Sequence, residues 1–171
     1  MRKWIYSVVL GILSSTAFGL NVCESTYALC TSAVCEPMLG YPDKVNCICE
    51  VKSGYSAAQK VCQKLKETDK GTLLYSRYYP IHGYKICSND RSWAYCLDAP
   101  CMLDKNDPEK ATCLCSLVKN KGNYVLVTDK KIEASCESGI FSSATIGQVQ
   151  QITDFLKTKD ELTPFEIKVQ N

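Results

Sequence analysis

One histidine, twelve cysteines and a run of acidic side chains are the groups through which this chain could do covalent or metal chemistry. A Ser-His-Asp or Cys-His centre would have to use His82, in Tyr79-Pro80-Ile81-His82-Gly83-Tyr84, because such centres need an imidazole beside the nucleophile. No Gly-x-Ser-x-Gly elbow accompanies it, and an even cysteine count leaves no thiol over. Asp90, Asp98, Asp104, Asp107 and Glu109 offer carboxylates for hydrolysis or calcium binding. Without EF-hand spacing they read as a solvated loop. Zinc sites favour closely spaced cysteine pairs, often with histidine, and no Cys-x-x-Cys occurs. The cysteines read as disulfides, and no metal, no cofactor and no enzymatic activity are expected.

The disulfides need an oxidising compartment, and the N-terminus supplies the route. Arg2 and Lys3 form a short positive region, Trp4 to Leu13 is apolar, and Ala17 and Gly19 are the small residues of a cleavage site. Residues 1–19 are expected to be a removed signal peptide, which makes the protein secreted or periplasmic. No later apolar stretch is long enough to span a bilayer, so no transmembrane segment follows leader removal. Lys and Arg number 20 against 18 Asp and Glu. With Arg2 and Lys3 in the leader, the remainder is neutral, which argues against nucleic acid as a partner.

The cysteines fall into two sets: Cys23, Cys30, Cys35, Cys47, Cys49 and Cys62, then Cys87, Cys96, Cys101, Cys113, Cys115 and Cys136. The three inner intervals are identical in both sets. Pro42-Asp43-Lys44-Val45-Asn46-Cys47-Ile48-Cys49 matches Pro108-Glu109-Lys110-Ala111-Thr112-Cys113-Leu114-Cys115. We read two copies of a unit of roughly 65 residues, each keeping its bridges to itself. A unit that small gains from cross-links.

The elements that must position these cysteines follow from periodicity. Val45–Val51 and Ala111–Val118 alternate at period two, as half-buried strands do. Cys47 and Cys49 therefore share a face, as do Cys113 and Cys115, and bond to different partners. Lys52-Ser53-Gly54 and Lys119–Gly122 read as hairpin turns, with Asn123–Thr128 the returning strand in the second copy. Ser25–Val34, Ser92–Ala99, Ala57–Lys66 and Lys130–Glu137 read as short helices. Ile146, Val149, Ile152, Phe155 and Leu156 recur at helical spacing. Ser142 or Ser143 would cap that helix, which is expected to pack on the core as a lid.

The expected fold is thus α+β: two homologous cysteine-rich units, each a short helix plus β-hairpin, packed as one pseudo-symmetric domain with a C-terminal helix. Unit 1 covers 20–70, an aromatic connector strand 71–86, unit 2 87–142, the amphipathic helix 143–158 and a flexible tail 159–171.

Tyr75, Tyr78, Tyr79, His82, Tyr84 and Trp93 crowd around the connector. Aromatics with polar tips suit binding surfaces, but aromatic strands are ordinary, and the segment reads first as a central strand joining the two units with its rings filling the core; alternate side chains can still face a partner. The reading is an exported, non-enzymatic binding module with a protein or glycan partner outside the cytoplasm. Two alternatives stand beside it. One is a two-headed inhibitor of a secreted enzyme such as a protease, with heads at Glu36–Asn46 and Met102–Thr112. The other is a small secreted hydrolase using His82 with the acidic residues above.

Overall fold

A computed structural model describes residues 19–78, 83–88, 90–119, 122–128, 136–160 and 168–169. The leader to residue 18, Tyr79, His82 and most of the Lys130–Glu137 segment lie outside the described residues.

Twelve strands and one helix are described. The strands are β1 (Asn21–Leu29), β2 (Val34–Pro37), β3 (Lys44–Ala58), β4 (Lys66–Thr68), β5 (Gly71–Tyr75), β6 (Gly83–Cys87), β7 (Trp93–Tyr95), β8 (Pro100–Leu103), β9 (Lys110–Val118), β10 (Tyr124–Thr128), β11 (Ile140–Phe141) and β12 (Lys168–Val169), and the helix is α1 (Ile146–Lys157). The fold is therefore mostly β, which corrects the expected α+β architecture of helix-plus-hairpin units.

The physical reason lies in the bridges. Cys30 bonds Cys49, and Cys35 bonds Cys47. Both partners sit on β3, so the chain before each bridge is drawn alongside that strand. There an extended backbone can complete a ladder. Ser25–Leu29 accordingly pairs with Glu50–Gly54. Ser92–Ala99 becomes β7, on β9, followed by a turn. Ala57 and Ala58 finish β3 opposite Val22 and Asn21, and no helix follows them. Lys52-Ser53-Gly54 is not a turn: β3 runs through it, with Gly54 at φ +125°, a conformation glycine adopts freely. Strand β10 exists, but it pairs with β6 rather than returning along β9.

Strands β3 and β9 form the centre of the larger sheet, whose order is β11-β2-β3-β9-β8-β5-β4. Strand β1 extends one edge of β3, and β7 pairs with β9. The β3–β9 register turns on one pair, Cys47 opposite Cys113. On either side Val45 faces Cys115 and Cys49 faces Ala111, and at the ends Lys44 faces Ser116 and Glu50 faces Lys110. Matching residues of the two cysteine sets thus occupy matching places. The outer strands cross over. Strand β5, which follows the first set, pairs with β8 of the second, and β11, which follows the second, pairs with β2 of the first. A smaller sheet has the order β10-β6-β12.

All twelve cysteines are bonded: Cys23–Cys62, Cys30–Cys49, Cys35–Cys47, Cys87–Cys136, Cys96–Cys115 and Cys101–Cys113. No bridge joins the two sets, and each set is nested in the same order. Four bridges share one buried face of the sheet. There they pack with Ala28, Ala33, Val45, Leu74, Ala94 and Ala99. Small alanines let the backbone approach sulfur closely, so this core is half disulfide and half short side chain.

Helix α1 is capped by Thr145, not by Ser142 or Ser143. The Thr145 hydroxyl accepts from the Gln148 N–H, and the Gln148 side chain accepts from the Thr145 N–H, closing a capping box. Its buried face carries Val149, Ile152 and Leu156. Ile152 and Leu156 pack with Ala57 and Leu97, and Val149 with Val125 and Ala144. No helix among the described residues is long and apolar enough to cross a membrane.

Candidate functional site

The aromatic residues singled out in the sequence are distributed rather than gathered on one surface. Trp93 is buried and stacks on Tyr124, with ring centroids 6.2 Å apart, while Tyr95 meets its edge at 6.5 Å. Tyr78 pairs its backbone with Ala57 and bridges two apolar clusters. Its buried hydroxyl has no hydrogen-bond partner, and burial, then Tyr95 and Asp98, push its pKa up. Tyr75 is half-buried under the Arg77 guanidinium, 5.4 Å from its ring centroid. Tyr84 lines a separate cleft of about 260 Å³ between β6, β10 and α1, with Ile86, Val125 and Ile146. Tyr79 and His82 lie outside the described residues.

Asp90, Asp98, Asp104, Asp107 and Glu109 do not form one cluster either. Asp90 accepts from the Gly122 N–H at 2.9 Å. Asp104, Asp107 and Glu109 sit at a hairpin tip, and Asp98 is buried elsewhere.

The two equal loops share two closing backbone hydrogen bonds and carry opposite chemistry. In the β2–β3 loop the Met38 N–H donates to the Lys44 carbonyl, and the Lys44 N–H to the Tyr41 carbonyl, both at 3.1 Å. In the β8–β9 loop the Asp104 N–H donates to the Lys110 carbonyl at 2.9 Å, and the Lys110 N–H to the Asp107 carbonyl at 3.0 Å. Each loop springs from a hairpin whose strands are bridged, Cys35–Cys47 or Cys101–Cys113. Lys44 and Lys110 mark opposite ends of the β3–β9 pair, so the tips point away from each other. The first tip is apolar: Leu39 is 95% exposed and Tyr41 55%. The second is acidic. Asp104 accepts from the Asn106 N–H, and Asp107 from the Glu109 N–H and from Lys110 Nζ. Those bonds, with Lys110 first, hold the Asp107 carboxyl below its ordinary pKa.

A third feature escaped the sequence reading. Asp98 and Arg77 form a buried ion pair, Nη1 to Oδ1 at 2.6 Å, with side chains 3% and 1% exposed. Asp98 Oδ2 also accepts from the N–H groups of Gln59 and Lys60, at 2.9 and 3.0 Å. Arg77 Nη1 donates to its neighbour's carbonyl at Ser76, while Nη2 is buried without a partner. Burial lowers the Arg77 pKa, against the pull of Asp98 and Tyr75. The pair ties the chain leaving β5 to the turn before β8. Asp98 occupies that turn at φ +57°, and Ser32 holds the matching place before β2 at φ +52°. The matching intervals were the signal: between equally spaced cysteines, one turn carries Ser32 and the other Asp98.

Beside this pair lies a cleft of about 480 Å³. Tyr95, Ser116 and Lys44 face one another in a row across β7, β9 and β3. Lys44 Nζ donates to Ser116 Oγ at 3.2 Å, and the Tyr95 hydroxyl to Gln59 Oε1 at 3.0 Å. Burial, then Asp98, raises the Tyr95 pKa to about 12, against the Gln59 hydrogen bond. An acid whose folded pKa lies above its unfolded value, about 10, stabilises the fold below that value. This contribution is lost as pH climbs through the folded value. Phenolate absorbance should therefore show a transition near pH 12 that Tyr95→Phe removes. A Tyr95 signal already complete by pH 10 would contradict the burial.

Comparison with family models, with curated proteins and with solved structures gave no match. What the bonding itself establishes is coarser. This is a small, cysteine-rich chain stabilised by six disulfides, a construction typical of extracellular proteins.

Proposed function

We propose that the chain is an exported, non-enzymatic binding module, built from two related six-cysteine units at 20–70 and 87–142, that meets a protein partner through the Met38–Asp43 tip. The observation that carries this is Leu39. A leucine 95% exposed, on a loop whose backbone is hydrogen-bonded and whose base is bridged, presents apolar area that costs little entropy to immobilise. Beside it on the same tip Tyr41 is 55% exposed, a residue type enriched among interface hot spots, and the two together can fill a pocket on another protein. Matching cysteine intervals, matching bridge order and matching loop hydrogen bonds support the duplication.

The two-headed inhibitor reading has the opposed tips in its favour. A substrate-like inhibitor, however, must offer extended backbone to a protease. Here the Tyr41 N–H turns back to the Met38 carbonyl, and Gly40 sits at φ +80°. The tip therefore suits docking better than mimicry of a cleavage site.

A photo-crosslinking residue at Leu39 should yield a discrete adduct with an extracellular protein, and the same residue at Asn106 should not. Leu39→Asp should weaken binding of that protein by roughly 30-fold or more, while the melting temperature moves by no more than about 2 °C. Equal adducts at both tips, or unchanged affinity in Leu39→Asp, would sink the proposal.

A further inference from the structure

The cleft beside the Arg77–Asp98 pair is distinct from the Leu39 tip and has the features of a built site. Its wall is held in place from several directions. Asp98 fixes the backbone of Gln59 and Lys60, Asn21 Nδ2 donates to the Lys60 carbonyl at 3.2 Å, and Cys62 is bonded to Cys23. Residues 59–62 have no strand partner, so these ties replace a ladder. The volume is in the range of small-ligand pockets, and the lining mixes apolar and polar groups as such pockets do.

The charge at the cleft is uneven. Lys44 and Lys60 both line it, and neither forms an ion pair among the described residues. The carboxylate at the cleft, Asp98, is already engaged by Arg77 and two backbone N–H groups. The balance of charge facing a guest is positive. The opposite end of the β3–β9 pair differs: there Lys110 faces Glu50 and ion-pairs with Asp107.

The uncharged groups narrow the choice further. The Gln59 amide accepts from Tyr95 and keeps its NH₂ to donate, and Ser116 Oγ has lone-pair capacity to spare. Beside them, Leu97, Pro100 and Leu114 supply the apolar part of the lining. A guest that matches all three elements has hydroxyls along one edge, a flat C–H face and a single carboxylate. We propose that this cleft binds an acidic saccharide, a pyranose carrying one carboxylate, with Lys44 and Lys60 on the carboxylate, Gln59 and Ser116 on hydroxyls, and the ring face on Pro100 and Leu114.

The test is an amide-resolved NMR titration of the oxidised protein with D-glucuronate, methyl glucoside, sodium sulfate and a short Asp/Glu peptide. Glucuronate should give saturable shifts confined to Gln59, Lys60, Tyr95 and Leu97. Methyl glucoside, which lacks the carboxylate that Lys44 and Lys60 would hold, should bind the same place at least about tenfold more weakly. Lys44→Gln/Lys60→Gln, with Lys60 exposed and Lys44 half-buried on the outer face of β3, should keep the fold and bring the two sugars to equal affinity. Three results would overturn the proposal. Sulfate reproducing the shifts at equal affinity would make the cleft a bare anion site. An acidic peptide binding more tightly than glucuronate would make it a peptide site. The third is the absence of localised shifts with every titrant.

Discussion

Asp98→Ala should remove about 3–5 kcal/mol of folding stability, measured by denaturant unfolding of the oxidised protein. The substitution does more than delete one ion pair. Arg77 is 1% exposed and already has one guanidinium nitrogen without a partner, so losing Asp98 strands a whole charge in the core. The N–H groups of Gln59 and Lys60 lose their acceptor as well. Asp98 also sits at positive φ, where Asp is tolerated better than Ala. Each consequence destabilises, and all fall on the turn that joins β7 to β8. Two comparisons separate charge from packing. Arg77→Met/Asp98→Asn removes both charges, keeps a polar acceptor at the turn, and should be milder than Asp98→Ala. Ser32→Ala, at the matching turn, deletes only a hydroxyl that donates to the Val127 carbonyl and should cost about 1 kcal/mol. An Asp98→Ala loss no larger than the Ser32→Ala loss would mean that the buried pair contributes nothing beyond an ordinary hydrogen bond. Because the pair is out of water, the loss should also be nearly the same in low and high salt.

The parts of this fold that were legible in the sequence are those where one face is buried and the other wet. Val45, Cys47 and Cys49 alternate with Asn46, Ile48 and Glu50, and the structure buries the first set and exposes the second. The same holds along β9 from Lys110 to Cys115, after which Ser116, Leu117 and Val118 are all half-buried. Strand β1 was misread because the rule fails there: Tyr27, Ala28 and Leu29 are all buried in succession, and a continuous apolar run cannot separate strand from helix. The stretch 57–66 misled for a related reason. Its apolar spacing looked helical, yet Val61 is 80% exposed and Leu65 42%, so no common face exists. The crossing of β5 onto β8 and of β11 onto β2 left no local trace, since register between distant segments is set by tertiary packing. The site divides along the same line. Equal loop lengths pointed to the two tips. The Arg77–Asp98 pair joins separate elements, so only the structure brings it together.

Cys35→Ala should yield scrambled bridges rather than one clean vacancy. The substitution frees Cys47, whose sulfur is fully buried and lies 3.6 Å from Cys96 Sγ. As a thiolate, Cys47 can attack that sulfur. A Cys47–Cys96 bond forms, the Cys96–Cys115 bond breaks, and Cys115 leaves as the new thiolate, so the number of disulfides is unchanged. Cys115 and Cys30 sulfurs lie within 4.8 Å of each other, so the Cys30–Cys49 bond is next in reach. The packing that makes four bridges one core therefore makes a single free thiol a relay. Exchange needs the thiolate and should quicken as pH rises. Cys35→Ala/Cys47→Ala leaves no free thiol. It should keep the remaining connectivity and lose about 2–5 kcal/mol. The peripheral variant Cys23→Ala, whose freed Cys62 is exposed, should not scramble the central four bridges. Peptide mapping after incubation at alkaline pH distinguishes the cases. A single Cys35→Ala species with Cys47 still free would show that the sulfurs, though in contact, are held too rigidly to exchange.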